Sequence, residues 1–500
     1  MNAHFTLLQT SLPRIAQPMV IVVGAAYFAC VIAISVWASR RTKTTSDFFV
    51  AGKGIGLVAM TAAASVSGFA FIGGPGLIYA VGLGALAIVL PASVTNVMGA
   101  WVLAKRMRLL GEARGLLTVP DAIGARYRSP KAQGLAGLAI LVGVIGYVAT
   151  NALAMGVVIN AIFGVGLGWG IWIGMGITLA YSVAGGILAG IYNDVFQGAL
   201  MAVASILVFV YILVGGGGLG AMSHTILIHD PQFLGPWGKM TPLAALSLYF
   251  VFSMGSLGQP QGIHRYYMLR DPRLLKWYPL LKTFALILVL LLFFGVGIAV
   301  KAFVAGGRLA PPATPDQATP TLLLNVAPLI LAALVFSGVA AATMSGVNAF
   351  INIGAAAVTH DFPIALGRKV SHGLAWARGA TAVIALAGAL IAQFSGTMVA
   401  FLGIFGWGLF GSTLVPALAI GLNWEGATPA GAIASMGTGL VVTLALETAS
   451  FFKVFKFPAG VTASAVALVL SILVFFIVSQ ITRSSAAGAI DPDVRLIMEM

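Results

Sequence analysis

Charged residues are scarce in this chain, and their scarcity excludes an ordinary soluble protein. Only 8% of its 500 residues are charged and 60% are hydrophobic, whereas soluble domains have about 25% charged residues. The mean hydropathy is +1.02. The single cysteine, Cys30, excludes an intramolecular disulfide. Because no long hydrophilic block interrupts the apolar runs, we expect residues 1–500 to form one integral membrane domain.

The sequence also lacks the patterns of several other functional classes. It has no combination of nucleophile, base and orienting group, which argues against an enzyme. It has neither rings of charge nor repeated filter loops, which argues against an ion channel. The 18 residues after position 482 contain no kinase-like segment, so we rank a membrane sensor of solutes below a transporter.

Apolar runs long enough to cross a bilayer recur along the chain. A spanning helix needs about 20 mostly apolar residues. We therefore predict an all-α membrane protein with about 13 transmembrane helices, at 18–38, 55–80, 84–104, 134–160, 168–190, 195–216, 242–262, 280–303, 322–357, 379–395, 398–422, 428–447 and 459–482.

Lys and Arg are distributed unevenly among the predicted loops. If the N-terminus is outside, six of the 27 lie in outer segments, leaving 27 − 6 = 21 inside. This matches the positive-inside rule, so we expect the N-terminus outside, the C-terminus in the cytoplasm and a place in the cell's inner (plasma) membrane. The net charge of +14 then reflects topology and contact with membrane lipids. It implies no nucleic acid and no protein partner.

Two predicted spans contain helix-breaking residues at membrane depth. The second reads "TAAASVSGFAFIGGPGLIY" and the seventh reads "FVFSMGSLGQPQGI". Unwound backbone inside a membrane is tolerated where it lines a cavity, and paired broken helices point to a transporter binding site. We expect Gly68, Gly258 and Pro260 to act as hinge or gating residues. The alternative is that such glycines only allow close helix packing.

Four motifs in order along the chain resemble the sodium:solute symporter family, and most closely its proline permease group. They are "DFFVAGKGIG", "SVAGGILAGIYNDVFQ", "GSLGQPQGIHRY" and "AAATMSGVN". The resemblance implies a LeuT-type fold of two five-helix inverted repeats. These are predicted at 55–216 and 242–422, with an extra N-terminal helix at 18–38 and two extra C-terminal helices within 428–482.

The resemblance also implies a sodium site between the break of the second span and the middle of the ninth. Its backbone carbonyl ligands fall on Ala63, Val66 and Ala342. Its first hydroxyl ligand falls on Ser345, and Gly346 stands where the family has a second hydroxyl.

Two departures from the family pattern leave the coupling ion open. Gly346 lacks the second hydroxyl, and Ser65 stands where the proline permeases have an aspartate. Ser65 or Asn348 could supply a replacement oxygen. We therefore expect sodium-coupled symport, with a proton-coupled or uncoupled carrier of the same fold as the alternative.

The resemblance places aromatic residues around a solute cavity. Tyr147 and Phe252 match cavity positions of the family, and Trp407 completes an aromatic set, with Asn151 and Gln259 as polar groups. Such a pocket suits a small organic solute with one apolar part and one hydrogen-bonding part. Proline, another amino acid and a monocarboxylate all fit. The alternative for each aromatic is ordinary helix packing or a place at the membrane interface.

A charged pair is the expected inner gate. Arg265 ends the seventh span inside a basic loop, where topology and contact with lipid headgroups are the alternative explanation. It also matches a family position, which makes pairing with Asp194 a hypothesis for the gate.

Overall fold

The structure is a computed structural model that describes residues 18–40, 50–51, 55–62, 68–368, 373–455, 457–483 and 490–500. Within these ranges, regular secondary structure is helical apart from an isolated bridge between Ile55 and Leu269. An all-helical membrane domain is what the composition predicts, because helices satisfy all their backbone hydrogen bonds internally.

Among the described residues, the first half of the chain contributes nine α-helices. They are α1 (Pro18–Ser39), α2 (Leu57–Ala62), α3 (Gly74–Val81), α4 (Leu86–Gly99), α5 (Lys105–Arg114), α6 (Val119–Tyr127), α7 (Pro130–Phe163), α8 (Leu167–Gly215) and α9 (Gly218–His229).

The second half contributes eleven more. They are α10 (Pro242–Gly255), α11 (Pro260–Ile263), α12 (Tyr278–Ala305), α13 (Ala318–Asn325), α14 (Leu329–Ala356), α15 (Phe362–Ala365), α16 (Gly373–Phe394), α17 (Val399–Leu414), α18 (Pro429–Phe451), α19 (Ala463–Ile481) and α20 (Pro492–Glu499).

The predicted membrane spans overlap these helices, but their number and several of their bounds differ. The predicted span 322–357, for example, covers the end of α13, which stops at Asn325, and all of α14, which begins at Leu329. Among the described residues, ten helices are long and apolar enough to cross a membrane. The predicted spans 168–190 and 195–216 are described as one helix, α8, of 49 residues. That length is more than twice the roughly 20 residues that one crossing needs. The number of crossings therefore stays a prediction.

The second predicted span departs from a regular α-helix at a π-helical turn over Phe69–Gly73, which follows Gly68 and leads into α3. This turn is called the break of the second span. Helix α2 is described as far as Ala62. Ala63, Ser65 and Val66 lie outside the described residues. Turns of π-helix widen the hydrogen-bonding pattern and are frequent at functional sites.

The seventh predicted span is broken at Gln259. Helix α10 ends at Gly255, a 3₁₀ turn covers Ser256–Gly258, and Gln259 is extended with φ −73° and ψ 105°. Pro260 then begins α11. The extended residue follows from the sequence, because a proline disfavours the helical conformation of the residue before it.

The interior of the bundle is formed around α14. In its most apolar segment of 18 residues, 83% of the residues are buried, compared with 22% for α1 at the periphery. Helix α14 packs against α8, α7 and α1, and α17 packs against α7 and α10. The segment that carries the "MSGVN" motif is therefore enclosed by protein rather than by lipid.

Candidate functional site

A cavity of about 140 Å³ lies between the second predicted span, the seventh predicted span and α14. It brings together residues from distant parts of the chain. The predicted residues that line it are Tyr147, Phe252, Gln259, Trp407 and Ser345, and Gly346 lines it as well.

Aromatic rings form one wall of this cavity. The ring of Phe252 stacks on Trp407, with centroids 5.0 Å apart and planes at 17°. The ring of Tyr147 stacks on Phe350 at 4.4 Å, and Phe252 continues the stack to Phe69 at 6.3 Å. Offset stacks of this kind favour flat or apolar solute surfaces beside them.

Gln259 lines the cavity, but its amide also holds the break of the seventh span together. Its Nε2 donates to the carbonyls of Gly255, at 2.8 Å, and Trp407, at 3.2 Å. Its Oε1 accepts a long bond of 3.4 Å from Nε2 of Gln261. The side chain therefore supports carbonyls that an unwound helix leaves without partners.

Asn151 does not line the cavity, contrary to its expected role as a polar group of the solute pocket. It is fully buried. Its Oδ1 accepts from the backbone N–H of Gly68 at 3.0 Å, and its Nδ2 donates to the carbonyl of Tyr147 at 2.9 Å. It thus satisfies a backbone donor at the break of the second span. This need arises only from the tertiary contact between α7 and that break.

The predicted sodium ligands on α14 face the same region. Ala342 and Ser345 are buried, and Ser345 lines the cavity. The side chain of Thr343 lies against Gly68, so α14 meets the second span at its break. This is the interface at which the motifs predict sodium. Oxygen atoms are the ligands that hard cations take, and Ser345 supplies a hydroxyl here.

Gly346 lies where a side chain does not fit. A β-carbon at this position would be 2.7 Å from Oδ1 of Asn151 and 3.0 Å from its Nδ2. Where the family has a second hydroxyl, the side chain of Asn151 from α7 packs against Gly346 instead.

Asn348 lies three residues after Ser345 on α14. It is buried and is not among the residues that line the cavity. Its Oδ1 accepts from Nδ2 of Asn352 at 3.1 Å. A β-carbon at Gly190 of α8 would meet its Nδ2 at 1.9 Å. The described contacts of Asn348 are thus with α8 and its own helix.

Asp194 and Arg265 form the pair that the inner-gate hypothesis expects. Nη2 of Arg265 lies 3.1 Å from Oδ2 of Asp194, and both side chains are 3% exposed. The hydroxyl of Ser345 lies near this carboxylate, whose Oδ1 has no hydrogen-bond partner among the described residues. The pair therefore joins α8 to the end of the seventh span, directly beside the predicted sodium ligand.

Several cavity residues escaped the sequence analysis. They include Phe69, Phe293, Ser256, Gln261, Tyr266, Tyr278 and Lys282. Lys282 lies within the predicted span 280–303 and within α12. Its cationic sequence neighbours gave no sign that it faces the cavity.

A second polar cluster lies where α6 meets the end of α14. Nε2 of His360 lies 2.9 Å from Oδ1 of Asp121, and Asp361 completes a group that could hold a metal ion. The oxygens of Asp121 already accept from Nε2 of Gln133 at 2.6 Å and from the N–H of Leu117 at 2.9 Å. These bonds connect α6 to the segment that follows α14, so the cluster has a structural role.

On the opposite side of the bundle, the segment between α12 and α14 packs over the second span. Thr319 Oγ1 donates to the carbonyl of Phe71 at 2.7 Å, and Oδ2 of Asp316 accepts from the N–H of Val399 at 2.9 Å. Burial raises the pKa of Asp316 to about 6. This segment therefore connects the second span to the beginning of α17.

The fold is shared with solved transporters. The substrate-bound outward-open structure of a Na⁺-coupled sialic acid symporter matches with a TM-score of 0.76 at 19% identity, over 93% of this chain and 98% of that one. The nucleobase-cation-symport-1 transporter Mhp1, in a closed conformation, matches with a TM-score of 0.51 at 15% identity, over 91% and 99%. These matches show that the chain has the LeuT-type fold that the motifs imply.

The sequence comparisons identify the family. The sequence model of the sodium:solute symporter family matches residues 48–439. The chain is 28% identical over 452 residues to the sodium/pantothenate symporter of Escherichia coli (strain K12), covering 86% of this chain and 91% of that protein. It is 27% identical over 477 residues to the osmoregulated proline transporter OpuE of Bacillus subtilis (strain 168), covering 93% and 95%. This chain belongs to the sodium:solute symporter family.

The family, the fold and the ion expected from the motifs are thereby confirmed. The chain is a multi-pass membrane protein and a sodium-coupled symporter of a small solute, not an enzyme. The open question of the coupling ion is resolved in favour of sodium.

Proposed function

We propose that this chain uses the sodium gradient to carry a small organic solute into the cell through the cavity described above. The observation that carries the proposal is the shared cavity itself. It is lined both by the aromatic set of Tyr147, Phe252 and Trp407 and by Ser345 of α14. The solute binds against the aromatic wall.

Sodium binds beside the solute, at the meeting of α14 with the break of the second span. Its ligands are the carbonyls of Ala63, Val66 and Ala342 and the hydroxyl of Ser345. The carboxylate of Asp194, which is paired with Arg265, lies near Ser345. Because Ser345 belongs to both sites, each ligand changes the affinity for the other, which is the thermodynamic requirement for coupling.

Alternating access follows from movement of the two repeats, at 55–216 and 242–422, around this cavity. The pair of Asp194 and Arg265 closes the inner side, and the break at Gly258 and Pro260 absorbs the movement. In this arrangement the N-terminus is outside and the C-terminus is in the cytoplasm of a plasma-membrane protein.

The candidate solutes are those of the two relatives compared above, proline and pantothenate. Both combine an apolar part with hydrogen-bonding groups, as the lining of the cavity requires.

Uptake by proteoliposomes tests the proposal. We expect labelled proline or pantothenate to accumulate with an inward sodium gradient and not when choline replaces sodium. Ser345→Ala should raise the sodium concentration for half-maximal uptake by tenfold or more, about 1.4 kcal/mol.

Ser471→Ala is the matched control. It removes another buried hydroxyl, which donates to the carbonyl of Leu468 in its own helix α19. Equal effects of the two substitutions, or uptake insensitive to sodium, would contradict the proposed site.

A further inference from the structure

The polar cluster where α6 meets the end of α14 keeps one carboxylate oxygen unused. Asp121, His360 and Asp361 each offer one ligand atom, and these atoms lie within 4.8 Å of one another. Asp361 is 1% exposed. Its Oδ1 accepts from Thr118 at 2.7 Å and from Gln133 at 3.1 Å. Its Oδ2 is buried and has no hydrogen-bond partner among the described residues. A group that brings positive charge to this oxygen would offset the cost of burying it.

Two carboxylates share this position with one histidine. Nε2 of His360 lies 2.9 Å from Oδ1 of Asp121 and 3.0 Å from its Oδ2. Among the described residues, this is the one ion pair that either carboxylate forms. With a neutral imidazole, both carboxylates are left with negative charges that repel each other in a buried place. A divalent cation would neutralise both.

The spacing of the histidine and the first carboxylate suits a transition-metal ion. Zinc binds histidine nitrogen and aspartate oxygen at about 2.0–2.2 Å, so two ligands at right angles on it are about 3.0 Å apart. Nε2 of His360 and Oδ1 of Asp121 are 2.9 Å apart. A metal ion between them would replace the shared proton, because metal ligands must be deprotonated. Imidazole is a ligand for zinc and its neighbours, whereas Mg²⁺ and Ca²⁺ take oxygen.

Hydrogen bonds from neighbouring groups hold the carboxylate of Asp121 in a fixed orientation. Nε2 of Gln133 donates to its Oδ1 at 2.6 Å. The backbone N–H groups of Leu117 and Thr118 donate to its Oδ2 at 2.9 Å and 3.1 Å. An ionised carboxylate has about four acceptor sites, so these bonds are compatible with a metal ion on the same group. Metal-binding carboxylates are typically oriented by outer hydrogen bonds of this kind.

The backbone beyond α14 presents the other two residues. His360 and Asp361 end a π-helical turn over Ala357–Asp361, and turns of π-helix are frequent at functional sites. The side chain of His360 is 25% exposed, which gives an ion access from the aqueous phase. The fully buried side of the site is formed by Asp361.

We propose that Asp121, His360 and Asp361 bind one divalent transition-metal ion of the zinc class, with water as a further ligand. The ion would link α6 to the segment that follows α14. This site is separate from the solute cavity, and metal binding there does not depend on the proposed transport function.

Titration of the purified full chain with Zn²⁺ tests the site. The protein is first treated with a chelator and carries no polyhistidine tag. Calorimetry should show one equivalent of Zn²⁺ bound with micromolar or tighter affinity, and excess Mg²⁺ or Ca²⁺ should not displace it. Zn²⁺ should also raise the melting temperature, and a chelator should reverse that rise.

Two conservative variants test the ligands. His360→Gln retains an N–H donor for Asp121, and Asp361→Asn retains an oxygen acceptor for Thr118. We expect each to weaken Zn²⁺ binding by tenfold or more and to lose the rise in melting temperature. His229→Gln is the matched control. It removes an exposed histidine whose Nδ1 lies 2.9 Å from a carbonyl of its own helix, and it should bind Zn²⁺ as the unmodified protein does.

X-ray absorption of the unmodified protein loaded with Zn²⁺ decides the ligand set even if a variant does not fold. We expect one imidazole together with oxygen ligands. Two or more imidazoles, or a sulfur ligand, would overturn the proposal. It would also be overturned by a lack of stoichiometric Zn²⁺ binding or by undiminished binding in either variant, since the hydrogen bond between His360 and Asp121 would then account for the cluster. None of these measurements uses transport, so a failure of sodium-driven uptake would contradict only the proposed function.

Discussion

For Gly346→Ser, the family sequence pattern and the tertiary structure predict opposite effects on sodium affinity. By the family pattern, the new hydroxyl supplies a missing sodium ligand and should raise sodium affinity. In the structure, the new β-carbon would lie 2.7 Å from Oδ1 of Asn151. That amide cannot move freely, because it accepts from the N–H of Gly68 at 3.0 Å and donates to the carbonyl of Tyr147 at 2.9 Å.

The expected magnitude follows from the bond that is lost. Moving the amide of Asn151 leaves the buried N–H of Gly68 without its acceptor, at a cost of about 1–3 kcal/mol. Gly68 follows Val66, a predicted carbonyl ligand, by two residues in the sequence. We therefore expect the sodium concentration for half-maximal uptake to rise about 5- to 150-fold in Gly346→Ser, at 1.4 kcal/mol per tenfold.

The assay is uptake against sodium concentration in proteoliposomes, with membrane insertion verified for each variant. Gly346→Ala adds the β-carbon without the hydroxyl and should weaken sodium dependence equally. Combining Gly346→Ala with Asn151→Ala should be no worse than Asn151→Ala alone, because both changes remove the same bond to Gly68. If Gly346→Ser lowers the half-saturating sodium concentration while Gly346→Ala leaves it unchanged, the steric reasoning is refuted.

Three further predictions concern the pair of Asp194 and Arg265, the break of the seventh span, and Asp316. Arg265→Gln leaves the buried carboxylate of Asp194 without its cation, so we expect a loss of about 3–5 kcal/mol of stability. In thermal unfolding, the double variant Arg265→Gln/Asp194→Asn should be less destabilised than Arg265→Gln alone. Gly258→Ala puts a β-carbon 2.6 Å from a backbone carbonyl oxygen of α17, so transport should fall more than tenfold. Gly437→Ala is the control and should transport normally, because a β-carbon at Gly437 would meet no atom within 4 Å. The pKa of Asp316 is about 6, above its ordinary 3.8, so the packed state gains protons and should become more stable as pH falls from 6 to 4. Asp316→Asn should remove this pH-dependent rise in melting temperature, and an identical rise in both proteins would argue against the buried carboxyl as its source.

The membrane class, the helices and the two breaks are determined by the sequence itself. Spanning segments need only about 20 apolar residues in a row, and that property is local. The break at Gln259 is equally local, because Pro260 dictates the conformation of the residue before it. The resemblance to the family supplied the expected fold. It also supplied Tyr147 and Phe252 as cavity residues, and Trp407 completed that aromatic set.

The roles of the polar residues were decided by tertiary structure. Asn151 and Gln259 satisfy backbone groups that only the broken helices expose, so their sequence positions could not show which partners they have. Gly346 lacks a side chain beside Asn151, although nearly 200 residues separate the two in sequence. Lys282 belongs to a cationic stretch, and only the packing of α12 against the cavity distinguishes it from exposed neighbours such as Lys276. Hydropathy depends on neighbours along the chain, whereas buried charge and hydrogen bonding depend on neighbours in space.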